Sequence, residues 1–318
     1  MIIIKNKHKK VYSGIGGQAV LEGIMMKNKN EYAVAIRKLD GNIEVKKDNY
    51  VMMSEKFKIL GLPFIRGIFS MIDSLILGSR ILEYSASFIE DDEGVEETKL
   101  DKWLSENLND KNMKILTGII TAISFVFALV IFSLVPAFIG QIIKNIVYDD
   151  TIAAVIEGFS RIGIFVIYVK LISNVKDIKR TFQYHGSEHK CINCIENGLD
   201  LTVDNVMMSS KEHKRCGTSF LVIVMIISIF LFMFLRFDNI WIKFLSRILL
   251  IPVIAGVSYE LLRFMGKFDN KFVDIISRPG MWMQGLTTLE PDRDQVEVAI
   301  KAVEEVFDWK KFKEENFK

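Results

Sequence analysis

Histidine and cysteine are scarce in this chain, four and three among 318 residues. Three cysteines cannot build the dense disulfide framework of a small secreted domain. No secretory signal is recognisable either, because Met1 to Tyr12 holds three isoleucines before a basic run and no apolar core segment. Charge of one sign is missing as well. The formal net charge is only +2, and no stripe interleaves aromatic with basic residues, so nucleic acid is not an expected partner. The stretch Gly14-Ile15-Gly16-Gly17-Gln18 lacks the Gly-Lys-Ser/Thr ending of a P-loop and follows no clear strand, which removes nucleotide binding by either common fingerprint. Its glycines read as a tight turn or a close backbone approach, with Gln18 and Glu22 as polar groups facing a site. A strand-entry turn is the plainer alternative.

What is absent over the longest windows is charge itself. Ile115 to Ile139 carries no ionisable residue, and half of all residues are hydrophobic, with a mean hydropathy of +0.25. That segment is long enough to cross a bilayer as a helix. Gly217 to Leu235 is a second clear span, while Thr151 to Ser173 and Ile240 to Leu262 are apolar but interrupted by charges. Four spans are expected. Lys176, Lys179, Arg180, Lys190, Lys211, Lys214 and Arg215 fall between the second and third, whereas the other two connections hold only Lys144 and Arg236. Short loops rich in Lys and Arg face the cytoplasm. The expectation is a multi-pass protein of the cell membrane with both termini cytoplasmic and the lipid bilayer as partner, its cysteines kept reduced.

Outside the spans, residues 32 to 51 alternate around Asp40-Gly41-Asn42, the signal of a β hairpin. Ser54 to Phe88 turns helical but is broken by Gly61, Pro63, Arg66, Gly67 and Asp73, and reads as an interfacial or re-entrant helix, with entry of residues 54–77 into the bilayer left open. Glu90 to Asp101 reads as a solvated acidic linker. Pro291 to Phe307 spaces Val296, Val298, Ile300, Val303 and Val306 among charges, as an amphipathic helix does. The predicted fold is therefore mainly α and polytopic, with about four transmembrane helices, a small N-terminal β hairpin element and amphipathic helices on the cytoplasmic side. Its expected divisions are 1–101, 102–173, a His/Cys loop at 174–216, 217–262 and a tail at 263–318.

The scarce residues are concentrated. His185-Gly186-Ser187-Glu188-His189 is followed by Cys191, Cys194, His213 and Cys216, all within one loop. On a helix, His185 and His189 share a face and can hold one metal, leaving Glu188 to polarise a water. This is the inverted zinc-protease pattern, H-x-x-E-H. The plainer reading is a pair of surface histidines with a solvated glutamate. Cys191-x-x-Cys194 with His213-x-x-Cys216 offers a different set, the spacing of a closed structural zinc knuckle, and a third reading makes Cys191 and Cys194 apolar fillers. Glu260 ends the fourth span on the same side and is a candidate third ligand or supporting carboxylate, with pairing to Arg263 as its alternative. Within the spans, Glu157 and Arg161 can pair across one turn, while Lys243 and Arg247 can snorkel outward. Pro279 to Pro291 can lie against the membrane or over the site, Trp282 suiting an interface anchor.

Gly16-Gly17-Gln18-Ala19-Val20-Leu21-Glu22-Gly23-Ile24-Met25-Met26, Phe182 to Lys190, Arg215-Cys216-Gly217-Thr218-Ser219-Phe220 and Leu286 to Pro291 resemble the YqhQ-like bacterial membrane proteins, a domain of unknown function described as a predicted metal-dependent enzyme. Ser187 stands where that family commonly has alanine. The resemblance implies His185, Glu188, His189, His213 and Cys216 as the working group, without requiring Cys191 and Cys194. The resulting expectation is a cytoplasm-facing metal-dependent hydrolase acting on a membrane-proximal peptide, lipid headgroup, ester or amide. Zinc is the expected metal, with iron or another divalent ion next. A membrane scaffold or regulator with a structural or sensing site is the alternative, its protein partner unspecified and self-association into a homo-oligomer open.

Overall fold

The computed structural model describes residues 10–90, 109–235, 237, 239–265 and 271–317. The acidic linker expected up to Asp101 lies, after Glu90, outside the described residues. The chain divides into two compact units, one of residues 1–89, 169–224 and 252–318 and one of residues 90–168 and 225–251.

The first unit is built on a four-stranded antiparallel meander, β1 (Gly16–Val20), β2 (Gly23–Asn28), β3 (Glu31–Arg37) and β4 (Ile43–Asn49), paired in that order. The expected hairpin is β3–β4, turning at Gly41 with φ +85°, where the Asp40 carboxylate accepts the Asn42 N–H at 2.9 Å. The glycine-rich segment ahead of it, read as a turn, is itself a strand that pairs with β2 from Gly16 opposite Lys27 to Val20 opposite Gly23. Successive side chains of β2 and β3 point to opposite faces, and both faces are covered. Ile24, Met26, Ala33 and Ala35 pack with buried residues of helix Lys176–Glu196 and helix Arg293–Val306. Val20, Met25, Val34 and Ile36 pack with Leu77 and Ile81.

Those last two residues lie on helix Ile65–Glu90, within the segment read as an interfacial or re-entrant helix. After a helical turn at Met53–Lys56 and a 3-10 turn at Lys58–Gly61, the helix runs unbroken for 26 residues and covers the sheet. Its apparent breakers are contacts. A Cβ on Gly67 would stand 2.7 Å from Tyr259 Cβ, and Asp73 is buried because it accepts the Tyr50 O–H and the Met53 N–H, each at 2.8 Å. The C-terminal amphipathic helix is present as Arg293–Val306. It starts at Asp292 with a reciprocal capping box to Gln295 and buries Val296, Val298, Ala299, Ala302, Val303 and Val306.

The second unit holds helix Asp110–Leu129, a π turn at Val130–Leu134, helix Val135–Val147 and most of helix Asp150–Ile172. Helices Gly217–Phe234 and Ile240–Met265 run from one unit into the other. Among the described residues, four helical segments are long and apolar enough to cross a membrane: Gly118–Val147, Asp150–Ile172, Gly217–Phe234 and Trp241–Met265. In the first, no residue of the most apolar window is buried, an outward face of Ile and Phe that water would disfavour.

Candidate metal centre

Helix Lys176–Glu196 places His185 and His189 one turn apart, with ring centroids 4.5 Å from each other. The connection between the second and third apolar helices thus opens with a helix, as the spacing of the histidines requires, and from Tyr184 to Glu196 all but His185 are buried. Cys216 arrives from the start of helix Gly217–Phe234 and brings Sγ to 3.1 Å from His185 Nε2. One ligand atom from each of His185, His189 and Cys216 lies within 4.8 Å of the other two. The rings are also fixed from behind. His185 Nδ1 is 3.0 Å from the Thr287 carbonyl and His189 Nδ1 is 2.7 Å from the Lys211 carbonyl. A carbonyl only accepts, so each Nδ1 donates its proton there and each Nε2 is the ring atom left to meet an ion. Burial lowers the His189 pKa, favouring the neutral imidazole that ligates, although the Cys216 contact pulls the other way. Two imidazoles and a thiolate are a donor set that zinc accepts.

Gly186 sits between these histidines for a steric reason. A Cβ there would collide with the Leu289 carbonyl oxygen, and Leu289 is held close by its own N–H, donated to Phe182 O at 3.0 Å.

Glu188 faces the same region from the next helical position. Its Oε1 accepts the Gly17 N–H at 2.8 Å, and burial pushes its carboxyl above the usual carboxylate range against the pull of His185 and that hydrogen bond. A Cβ on Gly17 would lie 2.5 Å from Met25 O and 3.1 Å from Glu188 Cδ, so the close backbone approach read from the glycines is real at this one. Gly17 and Gly217, neighbours of the two halves of the centre, also line a cavity of about 560 Å³ with Gln18, Lys27, Tyr50 and Asp73. Burial lowers the Lys27 pKa.

Several candidates are placed elsewhere. His213 Nε2 stands 3.1 Å from Glu196 Oε2, while its own N–H and carbonyl are clamped by Gln284 at 2.9 and 2.7 Å. Its ring centroid is 5.8 Å from that of His189, and it stays outside the three-ligand group. Burial alone would raise the Glu196 carboxyl, but His213, Lys10 and the Ser13 N–H outweigh it and bring it down to about 2. Burial also lowers the His213 pKa, so the pair is a carboxylate accepting from a neutral imidazole. Glu260 belongs to Arg66, with Nε–Oε1 at 2.6 Å and Nη2–Oε2 at 2.5 Å, and it also accepts the Phe64 N–H. Neither the centre nor Arg263 is its hydrogen-bond partner. Glu22 forms a two-pronged ion pair with Arg180, and Gln18 faces the cavity and Gly78. Cys191 and Cys194 are free, buried fillers of the core against the sheet, so the knuckle set is not brought together. Burial pushes the Cys191 thiol up, and Cys194 is pushed up to about 12, far from the thiolate a metal needs.

The residues not anticipated are mostly backbone: the Thr287 and Lys211 carbonyls and the Gly17 N–H, which no side-chain pattern announces. Glu196 and Asn193 were discoverable, because at helical spacing they continue the stripe of His185 and His189. Asn193 Nδ2 donates to Ser210 O and Glu212 O at 2.7 and 2.9 Å, holding the connection that carries His213 and Cys216. The segment after Pro279 lies over the site, through Gln284 and Thr287, and leaves Trp282 62% exposed.

A family model described as a protein of unknown function (DUF1385) matches residues 62–309. The uncharacterized protein YqhQ of Bacillus subtilis (strain 168) is 35% identical over 314 residues, which cover 98% of each chain. No solved structure matches.

Proposed function

The chain belongs to the DUF1385 family, whose description names no activity, and from its own residues we propose a membrane-embedded, metal-dependent hydrolase with a cytoplasm-facing centre. The observation that carries the reading is the convergence of His185, His189 and Cys216, with both imidazoles turned by backbone carbonyls. Three protein ligands with an open position are the arrangement of catalytic zinc sites, whereas structural sites are closed by four. Zinc suits this donor set best, and iron or another divalent ion is second. A bound ion would supply Lewis acidity at the open position.

The remaining work falls to the chain. Glu188, anchored through Oε1 to Gly17, keeps Oε2 to take a proton from attacking water and return it to the leaving group. The cavity bounded by Gly17 and Gly217 gives the substrate room, with Lys27 for a negative group and Met25 and Leu77 for an apolar part. A membrane-proximal peptide, lipid headgroup, ester or amide fits that mixture. The four apolar helices and the Lys/Arg-rich connection between the second and third support a bilayer position with both termini cytoplasmic.

Metal analysis of the full chain, purified in detergent, should give about one zinc per chain in the wild type and in Glu188→Gln, falling to background in His185→Ala. Glu188→Gln should fail to complement a deletion strain. Full complementation by Glu188→Gln would end the hydrolase reading. If, in addition, Cys216→Ala collapses folding, the centre is structural and the scaffold reading takes over.

A further inference from the structure

Four ionisable side chains of the second unit converge where separate fates were expected. Glu157 and Arg161 stand one turn apart on helix Asp150–Ile172, as do Lys243 and Arg247 on helix Ile240–Met265. Lys243 and Arg247 do not snorkel outward. Lys243 Nζ lies 2.8 Å from Glu157 Oε2, Arg161 Nη2 is 3.4 Å from Glu157 Oε1, and the Arg247 guanidinium also pairs with Glu157. Glu157, Arg161 and Arg247 are 4%, 8% and 4% exposed. One carboxylate thus serves three cations, two of them buried, and two positive charges remain uncompensated. Buried charge in excess is costly unless something neutralises it.

The surroundings are built for an anion. The four residues border a cavity of about 40 Å³, room for one compact polyatomic group. Gly140 forms part of its wall, and a Cβ there would come within 2.8 Å of Glu157 Oε2. The Phe232 ring lies 4.9 Å from both guanidinium carbons, a cation–π contact to each. Ser228 accepts one arm of Arg161 at 3.2 Å, yet the buried Arg161 Nε has no hydrogen-bond partner. A donor left over in a dry site with excess positive charge asks for an acceptor.

We infer that this cavity binds the phosphate of an anionic lipid headgroup. Arg161 lies about 16 Å along its helix from Asp150, and Arg247 about 10 Å along its own from Ile240, at 1.5 Å per residue. In a hydrocarbon layer of about 30 Å, Arg247 is then about a third of the way in and Arg161 near the middle, and the cavity reaches back from them to Asp150 at the helix end, the way by which a headgroup enters. Lys243, 16% exposed in its side chain, marks the open rim. The lipid as source rests on reading these helices as membrane spans; the phosphate chemistry does not. No residue is shared with the metal centre.

The test titrates the full chain, in an uncharged detergent, with dioctanoyl phosphatidic acid, dioctanoyl phosphatidylcholine and inorganic phosphate, followed by native mass spectrometry and calorimetry. One saturable phosphatidic acid per chain is expected, weakened about tenfold or more by Lys243→Gln and by Arg161→Gln, since each removes a charge-assisted contact. Lys243→Gln, at the rim, keeps the comparison readable if Arg161→Gln does not fold. Saturation by inorganic phosphate at equal concentration supports the site and assigns it to a soluble anion. Equal binding of phosphatidylcholine, binding unchanged in Lys243→Gln, or no binding of either anion by the wild type overturns the site. The metal content of His185→Ala does not bear on any of these outcomes, so failure here is separable from failure of the hydrolase reading.

Discussion

The Gly17 N–H fixes the Glu188 carboxylate in a place where an alanine has no room. Gly17→Ala forces either β1 or the Glu188 side chain to move, at about 1–3 kcal/mol of stability. A denaturant titration should register that loss while bound metal stays near the wild-type level, because none of the three ligands touches Gly17 directly. The Glu196–His213 pair makes a separate prediction about pH. Both groups have folded pKa values below their ordinary ones, so the unfolded chain binds more protons and stability falls as pH falls. The Glu196 part is complete above its unfolded value of about 4.3 and is lost on the way down to about 2, a change on the order of 3 kcal/mol. Melting curves from pH 6 to pH 3 should flatten in Glu196→Gln. Cysteines divide the same way: Cys191→Ala should leave bound zinc unchanged and Cys216→Ala should remove it, as read by metal analysis. At this scale His185, Glu188 and His189 were legible because a helix converts their spacing directly into a shared region. The place of His213 was not legible, because closeness to Cys216 in sequence says nothing of which neighbour meets its ring, and Glu196 meets it.

Among the elements, helix Lys176–Glu196 is the one on which most depends, since it carries two of the proposed ligands, Glu188 and a face of the core. Gly186→Ala would press it away from the Leu289 carbonyl and shift His185 with it. The expected result is a destabilisation of about 1–3 kcal/mol together with weakened zinc retention, unlike Asp292→Ala, which removes the capping box of helix Arg293–Val306 at about 1 kcal/mol and should leave the metal in place. Thermal melts paired with metal analysis distinguish the two. The amphipathic helix and β3–β4 were readable from period and turn chemistry. Strands β1 and β2 were not, because Gly-Gly-Gln-Ala-Val and Gly-Ile-Met-Met-Lys-Asn show no alternation when both faces of a strand are covered. The continuity of helix Ile65–Glu90 was not legible, because glycine at a close helix contact and glycine at a break look alike in sequence.

For the whole molecule, the four apolar helices were legible from the lack of charge alone, and their orientation is a matter for reporters. A reporter active only outside the cytoplasm should be silent at the C-terminus and active when inserted at Tyr148–Asp149, the short connection between the first two apolar helices. The division into two units was not legible, since residues 252–318 rejoin a core begun in the first 89 through pairings with no local signature. Cys216 directly precedes helix Gly217–Phe234. One corner of the ligand triangle is therefore the end of a rod about 27 Å long at 1.5 Å per residue, while the other two corners are pinned to a sheet-backed helix. Any tilt that the rod adopts to match its surroundings stretches or relaxes that corner. On the proposed function, zinc retention measured in nanodiscs of short-chain and long-chain phosphatidylcholine should differ for that reason, and the proposed ion would serve as a gauge of bilayer thickness.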